Sequence, residues 1–446
     1  MINMAKNTTV IQVRFMACIT VVLILLLTNS PVANSVEPLT GIDAFKVIMI
    51  DGSEIPEALG QPIADFSLAA LIDGEMEPIP FQIDEYNTEG TVYFEYNKIP
   101  LAGTLGIIDQ HDKLIFTYKD AGERRQNNSR YDGEIIQEIM LYGKGGTARY
   151  VYLVKNSRLK SDDQYVRYSA DEALVETDFY SISYNKDNHI SWNDFSIVGF
   201  SGNENPIDAL KVRLTTGILS NFIRHEFTND NLVATPESVH SGAIRSTTQM
   251  DLVLDLASVP LLHINLQLHH YAKSVIYDVR ILIPRALRVM LVDPVLTMSL
   301  EGNNLYGAEL YTASGPKQPG ITDGKVDDIE RLHMANGISK SDNWVLLSTN
   351  QNLDIAAFFD FSSKKTETIS LHYNDDDDGV IDPPERFPGQ LPNVGFKIHN
   401  LPKSGEISFV ININFDKNYT GTPDEISRHL RDVPDITVLS PKPPKH

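Results

Sequence analysis

The sequence predicts an all-β, mainly antiparallel protein, a sandwich or supersandwich with few short helices. Three observations support this prediction. Apolar residues recur at every second position in many segments, glycine and proline separate these segments, and helix signals are rare. A chain of 446 residues, 42% of them hydrophobic, can also bury a sizeable core.

The alternation predicts many half-buried strands. A hairpin is expected from a strand at 138–142, a glycine-rich turn at 143–146 and a second strand at 148–155. Further strands are expected at residues 209–216, 250–256, 262–271, 274–283, 343–349, 354–361, 368–373 and 406–415.

Two segments carry helix signals. Thr422, Pro423 and Glu425 supply an N-cap, a first-turn proline and a capping-box acid, which predicts a short helix to about Arg431. Residues 326–336 are a second candidate, ended by Gly337.

Residues 1–35 are typical of a signal peptide. They contain no acidic residue, and an apolar run of 13 residues (15–27) precedes small residues at Ala33 and Ser35. This run is shorter than the roughly 20 residues of a membrane helix. Cleavage after Ser35 is therefore expected, and an uncleaved N-terminal anchor is the alternative.

The rest of the chain is expected to form several units joined by soft boundaries. They are an N-terminal β unit (36–167), a central β-sandwich unit (168–315), a C-terminal β unit with a calcium-type loop (316–433) and a disordered tail (434–446).

Charge and cysteine content exclude several classes of function. With 38 basic and 59 acidic residues the net charge is −21, which opposes nucleic-acid binding. The single cysteine lies in the predicted signal peptide, so the mature protein would have no disulfide, thiolate metal site or cysteine nucleophile. A secreted protein without a membrane span is expected, whether periplasmic, extracellular or at the cell surface.

Residues 374–385 fit a twelve-residue calcium loop with Gly379 at its tight turn. Calcium prefers several hard oxygen ligands, which would come from Asn374, Asp376, Asp378, the Val380 carbonyl, Asp382 and Glu385. Pro383 and Pro384 oppose an exiting helix, so we expect a structural Ca²⁺ in a loop between strands. The alternative is a solvated acidic turn. A weaker match at 322–330 is better explained as a glycine turn leading into a helix.

One predicted strand has a strongly polar face, which is suited to hydrogen-bonding sugar hydroxyls. Its candidate carbohydrate-binding residues are His263, Asn265, Gln267, His269 and Tyr271, opposite Leu262, Ile264, Leu266 and Leu268. An ordinary solvent-facing sheet surface is the alternative interpretation.

No motif in the sequence identifies a reaction, so whether the protein is an enzyme stays open. If it is one, a polysaccharide-active lyase or hydrolase fits best. A hydrolase would need two carboxylates at a defined separation, and 59 acidic residues cannot be paired from sequence. A lyase would need a Tyr or His base opposite a cation.

Four segments resemble a family of uncharacterised secreted bacterial β proteins: PIPFQIDE (78–85), DQHDKLIFTYKDAG (109–122), SGAIRSTTQ (241–249) and DPPERFPGQLPNVGFKI (382–398). The likeness extends over most of residues 40–433. These segments are also similar to secreted proteins with galactose-mutarotase-like supersandwich folds, some of which are carbohydrate-active. Neither resemblance supplies a catalytic residue.

The leading expectation is a secreted, calcium-stabilised β protein that binds or processes carbohydrate at a sheet surface. A non-enzymatic scaffold of the cell envelope or surface is the alternative. A concave groove that holds His263, His269, Tyr271 and an arginine would favour the first, and a flat surface the second.

Overall fold

The computed structural model describes residues 37–96, 98–125, 131–202, 205–256, 259–284, 291–339, 341–361, 368–377, 384–387, 391–399, 401 and 406–440. The predicted signal peptide and residues 441–446 of the predicted tail lie outside this part of the chain. Within it, strands predominate and pair antiparallel in five sheets, which confirms the predicted all-β class.

Two of the sheets form an N-terminal sandwich. Its strands are β1 (Val47–Asp51), β2 (Phe66–Ile72), β3 (Glu75–Ile79), β4 (Phe81–Asp84), β5 (Lys113–Thr117), β6 (Glu134–Tyr142), β7 (Ala148–Lys155) and β27 (Asp435–Leu439). The three-stranded sheet has the order β1-β5-β4, and the five-stranded sheet has the order β27-β6-β7-β2-β3. Apolar side chains of both sheets pack between them.

Strand β27 corrects the prediction of a disordered tail from residue 434. It pairs antiparallel with β6, from Asp435 opposite Tyr142 to Leu439 opposite Glu138. Its Ile436 and Val438 pack on the core of the N-terminal sandwich. The partner strand lies about 300 residues earlier in the sequence, so local patterning could not reveal this pairing.

The other three sheets form a larger sandwich. The large sheet contains, in order, β14 (Leu232–Ser241), β15 (Arg245–Leu256), β16 (Val259–Tyr271), β17 (Ser274–Leu282), β26 (Glu406–Asp416), β23 (Asp354–Phe361), β22 (Trp344–Ser348), β19 (Glu309–Thr312) and β20 (Gly320–Ile321). The facing sheet contains β13 (Arg224–Phe227), β12 (Ile207–Ile218), β18 (Leu291–Gly302), β25 (Asn393–His399), β24 (Thr368–Asn374) and β21 (Gly337–Ile338). The side sheet contains β11 (Trp192–Ile197), β10 (Tyr180–Tyr184), β9 (Leu174–Glu176) and β8 (Arg167–Ser169).

One continuous apolar core lies between the large, facing and side sheets. The predicted boundary between residues 315 and 316 does not divide this sandwich, because both main sheets combine strands from its two sides. Long-range strand pairing therefore joins the predicted central and C-terminal units into one body.

Helices are few. The α-helices are α1 (Asp328–Ala335) and α2 (Pro423–Arg431), and the short 3₁₀ helices are Gly41–Phe45, Gly52–Glu54, Pro56–Ala58, Ile63–Asp65, Tyr118–Asp120 and Asn229–Asn231. The capping box of Thr422 and Glu425 is formed as predicted, and α1 begins with a similar box from Asp327 and Glu330. In the described ranges no helix is long and apolar enough to cross a membrane.

Candidate functional site

The candidate site lies on the outer face of the large sheet, which we define as the face that points away from the sandwich core. Leu262, Ile264, Leu266 and Leu268 of β16 face the core as predicted. The residues between them therefore point outward. Across five strands the outward positions form one row in register, Gln249, Gln267, Asp278, Val410 and Asp360.

The five predicted carbohydrate-binding residues lie at different depths on this face. His263 is exposed, and its Nδ1 lies 3.0 Å from Asp251 Oδ2. Asn265 is half-buried and accepts a hydrogen bond from Gln249 Nε2. Gln267, His269 and Tyr271 are buried. Of the five, only His263 and Asn265 are open to solvent, and the role of all five in sugar binding stays a prediction.

The N-terminal sandwich covers part of the outer face, including the buried residue Gln267 of β16. Gln267 Nε2 donates to the carbonyl of Val92 at 2.7 Å, and the Val92 amide donates to Gln267 Oε1 at 3.0 Å. Arg280 Nη1 donates to the carbonyl of Glu89 at 2.6 Å. The segment around residues 89–92 therefore sits on the outer face as a fixed cover.

A buried ion-pair network anchors this cover. Arg245 Nε donates to Asp84 Oδ2 at 2.7 Å, and its two Nη atoms donate to Tyr271 Oη at 2.8 Å and Tyr86 Oη at 3.0 Å. Gln82 Oε1 accepts the backbone amide of Arg245 at 2.9 Å, and its Nε2 donates to Asp84 Oδ1 at 2.7 Å. Two of the segments that carry the family resemblance, 78–85 and 241–249, thus meet here.

The network controls the charge of its members. Burial opposes ionisation of Asp84, but Arg245 and His240 outweigh it and hold the pKa of Asp84 well below its usual range. The hydrogen bond between His240 and Asp84 raises the pKa of His240. Burial raises the pKa of Tyr271 to about 12 although Arg245 acts against it. Arg245 lies beside Tyr271, where a lyase site would have its cation. The Tyr271 hydroxyl, however, is buried and protonated, and it already accepts a hydrogen bond from Arg245.

An open cleft remains on the outer face where the N-terminal sandwich ends. We call it the outer-face cleft. Its volume is 370 Å³, and it is lined by Asp278, Arg280, Asn343, Asp360, Phe361, Ser408, Phe409 and Val410. Its polar side chains come from β17, β23 and β26 and from the residue before β22, so four separate parts of the sequence build it.

Charged pairs stand on both sides of this cleft. On one side, Arg280 Nε lies 3.6 Å from Asp278 Oδ1. On the other, Asp360 Oδ1 accepts hydrogen bonds from Asn343 Nδ2 at 2.8 Å and Arg431 Nη2 at 3.0 Å. Burial raises the pKa of Asp278 even though Arg280 opposes the shift. The cleft is therefore lined by the carboxylates of Asp278 and Asp360 and by the guanidinium of Arg280.

Tyr271 also lines a second cavity of 180 Å³, between the N-terminal sandwich, the large sheet and α2. Asn412, Asn414 and Tyr419 contribute to its wall, and Lys273 and Asp416 form an ion pair at 2.8 Å within it. This cavity combines amide, charged and aromatic groups, but its Tyr271 hydroxyl already bonds to Arg245.

The predicted calcium loop is described only in part. Asn374, Asp376 and Glu385 are placed, whereas Asp378, Val380 and Asp382 lie outside the described residues. The Asp376 carboxylate accepts the amide of Val326 at 3.0 Å. Among the residues that are described, no three His, Cys, Asp or Glu side chains are placed to hold a metal ion.

The two acidic segments of the sequence lie against each other. Asp375 Oδ2 accepts the amides of Asp323 at 2.9 Å and Gly324 at 3.2 Å, so residues 375–377 pack on the loop before α1. Asp375 and Glu330 are fully buried, and each has one carboxylate oxygen without a hydrogen-bond partner in the described part of the chain. Burial raises the pKa of both groups, that of Glu330 to about 7.

Glu385, the expected last ligand of the loop, lies instead beside a buried lysine. Its Oε1 is 3.5 Å from Lys211 Nζ, which also contacts Glu301 Oε2 at 2.5 Å. The next residue, Arg386, donates to the carbonyls of Ile207 and Asp208 at 2.6 Å each. This part of the family-like segment 382–398 thus attaches the loop to β12.

Sequence reasoning missed the charged groups of the outer-face cleft. Asp278 and Arg280 are two residues apart in an otherwise apolar strand, which places two charges on one face and is a detectable signal. Asn343, Asp360 and Arg431 carry no such signal, because only strand pairing and the docking of α2 bring them together.

The chain was compared with known proteins. No family model and no curated protein matches it. Among solved structures, it is similar to an alpha-mannosidase from Enterococcus faecalis, with a TM-score of 0.45 at 9% identity over 90% of this chain and 45% of that one. It is also similar to a heparan sulfate lyase from Pedobacter heparinus, with a TM-score of 0.31 at 10% identity over 60% and 38% of the two chains.

A family GH92 alpha-mannosidase from Bacteroides thetaiotaomicron gives a TM-score of 0.25 at 10% identity over 56% of this chain and 31% of that one. These structural neighbours are carbohydrate-active enzymes, and this chain spans less than half the length of each. At these TM-scores the likeness assigns neither a family nor an activity. The function has to be inferred from the side chains of this chain.

Proposed function

We propose that the protein is secreted and binds or processes carbohydrate in the outer-face cleft. The observation that carries this proposal is the cleft itself, an open volume of 370 Å³ with an Asp–Arg pair at each side. Sugar hydroxyls donate and accept hydrogen bonds at once, so neighbouring carboxylate and guanidinium groups suit them. Asp278 and Arg280 supply one such pair, and Asp360 and Arg431 the other.

The two candidate residues of β16 that are open to solvent, Asn265 and His263, lie next to the cleft. Asn265 lies directly beside Arg280 in register, and His263 follows two residues earlier on the same face. A glycan chain in the cleft would extend across β17 onto these two side chains. In this proposal Gln267 and Tyr271 hold the N-terminal sandwich in place, and His269 is buried against Thr247 of β15, so none of the three touches the ligand.

A glycan array and a depolymerisation screen against neutral and acidic polysaccharides test the proposal. The variants Arg280→Gln and Asp360→Asn should lose glycan binding at least tenfold, and Asn265→Ala should lose less. Asp230→Asn is the matched control, because it removes an exposed carboxylate that does not line the cleft. Retention of full binding by Arg280→Gln and Asp360→Asn would place the sugar site elsewhere.

We also propose that a calcium ion stabilises the acidic loop that begins at Asn374. Support comes from Asp375 and Glu330, two buried carboxylates with unpartnered oxygens where the two acidic segments meet. Such groups repel each other unless a proton or a cation lies between them. Chelator should lower the melting temperature of the wild type, and added calcium should restore it. An equal chelator effect on Asp375→Asn would contradict this assignment.

Secretion is proposed from the character of residues 1–35 alone. Expression of the full chain in a bacterial host, followed by N-terminal sequencing of the exported product, is the direct measurement. A new N-terminus within a few residues of Val36 supports cleavage of a signal peptide. An unprocessed chain in the membrane fraction would support the anchor instead.

A non-enzymatic surface scaffold is the second candidate function. It is favoured by the exposed apolar side chains of Leu219, Phe222 and Ile223, between β12 and β13, with Phe222 98% exposed. Exposed apolar clusters often mark contact sites for partners. If this turn mediates self-association, Phe222→Ser should reduce the mass measured by analytical ultracentrifugation. An identical mass for variant and wild type would rule out self-association through this turn.

A further inference from the structure

We propose that the outer-face cleft is a hydrolytic active site in which Asp278 acts as general acid and Asp360 as general base on a neutral glycosidic bond. The reaction would proceed by a single displacement with inversion at the anomeric carbon. This inference rests on the proposed carbohydrate function and adds the reaction, the two catalytic residues and the substrate charge.

The first argument is the spacing of the two strands that carry the carboxylates. Asp278 of β17 and Asp360 of β23 both lie opposite Val410 of β26, one on each side. Both side chains point to the outer face, and their Cα atoms are two strand spacings apart, which is about 9.5 Å. Inverting glycosidases hold their carboxyl groups roughly 6.5 to 9.5 Å apart, because a water molecule must fit beside the sugar. Retaining enzymes need about 5 Å, which adjacent strands would have given.

The second argument is the difference between the two environments. Asp278 is mostly buried, and its nearest guanidinium nitrogen, Arg280 Nε, is 3.6 Å away, beyond ordinary hydrogen-bond length. Arg280 also directs Nη1 to the Glu89 carbonyl. Burial raises the pKa of Asp278, so this carboxyl holds its proton more readily than an ordinary aspartate.

Asp360 has the opposite surroundings. It is about half exposed, at 51%, and two donors, Asn343 Nδ2 and Arg431 Nη2, hold its Oδ1. Among the described residues, no donor bonds to Oδ2, so this oxygen can take a proton from water. The cleft thus holds one mostly buried carboxyl and one half-exposed, hydrogen-bonded carboxyl, two different environments of the kind that separate the acid and the base in glycoside hydrolysis.

The reaction balances without a cofactor. A water oxygen attacks the anomeric carbon, and its proton moves to Asp360 Oδ2. The bond between the anomeric carbon and the glycosidic oxygen breaks, and Asp278 gives its proton to that oxygen. One water is consumed, and one new reducing end and one hydroxyl are formed. Exchange with solvent then returns the proton to Asp278 and removes it from Asp360.

The charge of the protein selects the substrate class. The chain carries a net charge of −21, and two carboxylates border the cleft. Polyanionic glycans would be repelled, so neutral polysaccharides are the expected substrates.

The test uses the full chain without its predicted signal peptide. A panel of neutral polysaccharides is screened for binding and for release of reducing ends, and the anomeric form of the first product is read by proton NMR. We expect cleavage with inversion. At saturating polysaccharide, Asp278→Asn and Asp360→Asn should each lower the rate about 10²- to 10⁴-fold, a larger effect than the loss of binding expected of Asp360→Asn. Asp230→Asn should stay at the wild-type rate.

Activated aryl glycosides of the cleaved sugar separate the two roles. Their leaving group needs little protonation, so Asp278→Asn should recover most of its activity on them. Asp360→Asn should stay inactive on them and be rescued by azide. Recovery does not depend on stability, which separates a catalytic defect from misfolding; melting curves give a second check.

Several results would overturn the inference. If the wild-type protein binds a polysaccharide of the panel without cleaving it, the catalytic roles are wrong but the proposed binding function stands. Retention of configuration, or an unsaturated ultraviolet-absorbing product, would show a different reaction in the cleft. Absence of both binding and cleavage would remove the proposed function and the inference together.

Discussion

The buried pair of Asp84 and Arg245 allows a quantitative prediction about how the N-terminal sandwich is held. Both residues are almost completely buried, at 1% and 2% exposure. Asp84→Asn keeps the shape of the side chain but leaves the Arg245 guanidinium without a counter-charge. Removing one partner of a buried ion pair typically costs about 3–5 kcal/mol, because the remaining charge is buried and uncompensated. We expect a loss of that size in the free energy of unfolding.

The expected pH dependence has a definite sign. Because the folded-state pKa of Asp84 is held below its ordinary value, the pair stabilises the fold at pH values above the pKa of the unfolded chain. This contribution is lost as the pH falls toward the folded-state value. Wild type should therefore lose stability on acidification below about pH 4, and Asp84→Asn should lose less over the same range.

Urea unfolding and amide hydrogen exchange measure the effect. Exchange should rise at the amides of Ile244 and Arg245, which both donate to Gln82 in the docked state. The double variant Asp84→Leu with Arg245→Met should be more stable than Asp84→Asn, because it buries no charge. A loss below about 1 kcal/mol in Asp84→Asn, or a double variant less stable than the single one, would refute the reasoning.

Two further predictions concern other parts of the fold. Burial raises the pKa of Glu330 from 4.5 to about 7, so its contribution to stability is fully present below pH 4.5 and is lost as the pH rises to about 7. In protein kept free of calcium by chelator, Glu330→Gln should therefore be about 1–3 kcal/mol more stable relative to wild type at pH 8 than at pH 5 in urea unfolding; an unchanged difference would contradict the burial argument. Thr422→Ala should destabilise α2 by about 1 kcal/mol, because Thr422 Oγ1 accepts the Glu425 amide, and Thr422→Ser should restore most of the loss. Equal melting temperatures for the alanine and serine variants would rule out the cap.

Local sequence patterns were sufficient for ten of the 27 described strands and for α2. The hairpin of β6 and β7 follows its alternation, and α2 begins at the residue that its capping box indicated. These elements are determined by neighbours a few residues apart, which is the range in which periodicity and capping act. The same patterns could not show that β27 joins the N-terminal sandwich or that strands from both sides of residue 315 share two sheets.

The polar face of β16 shows the limit most clearly. Its alternation correctly indicated which side chains point away from the core. It could not indicate that Gln267 and Tyr271 would be covered, because the residues that contact them, Val92 and Ile115, lie far away in sequence. The expected solvent-facing row is therefore divided into a buried half and an open half.

By itself, the sequence determined the β class, the inward and outward faces of the strands and the excess of acidic residues. Only the tertiary structure decided what each of the important acidic residues lies beside. Asp278 and Asp360 line the same cleft, Asp84 pairs with Arg245, and Asp375 packs against the loop before α1. The physical reason is that strand periodicity is a property of adjacent residues. Charge pairing depends on distances that are set when strands far apart in the chain come into register.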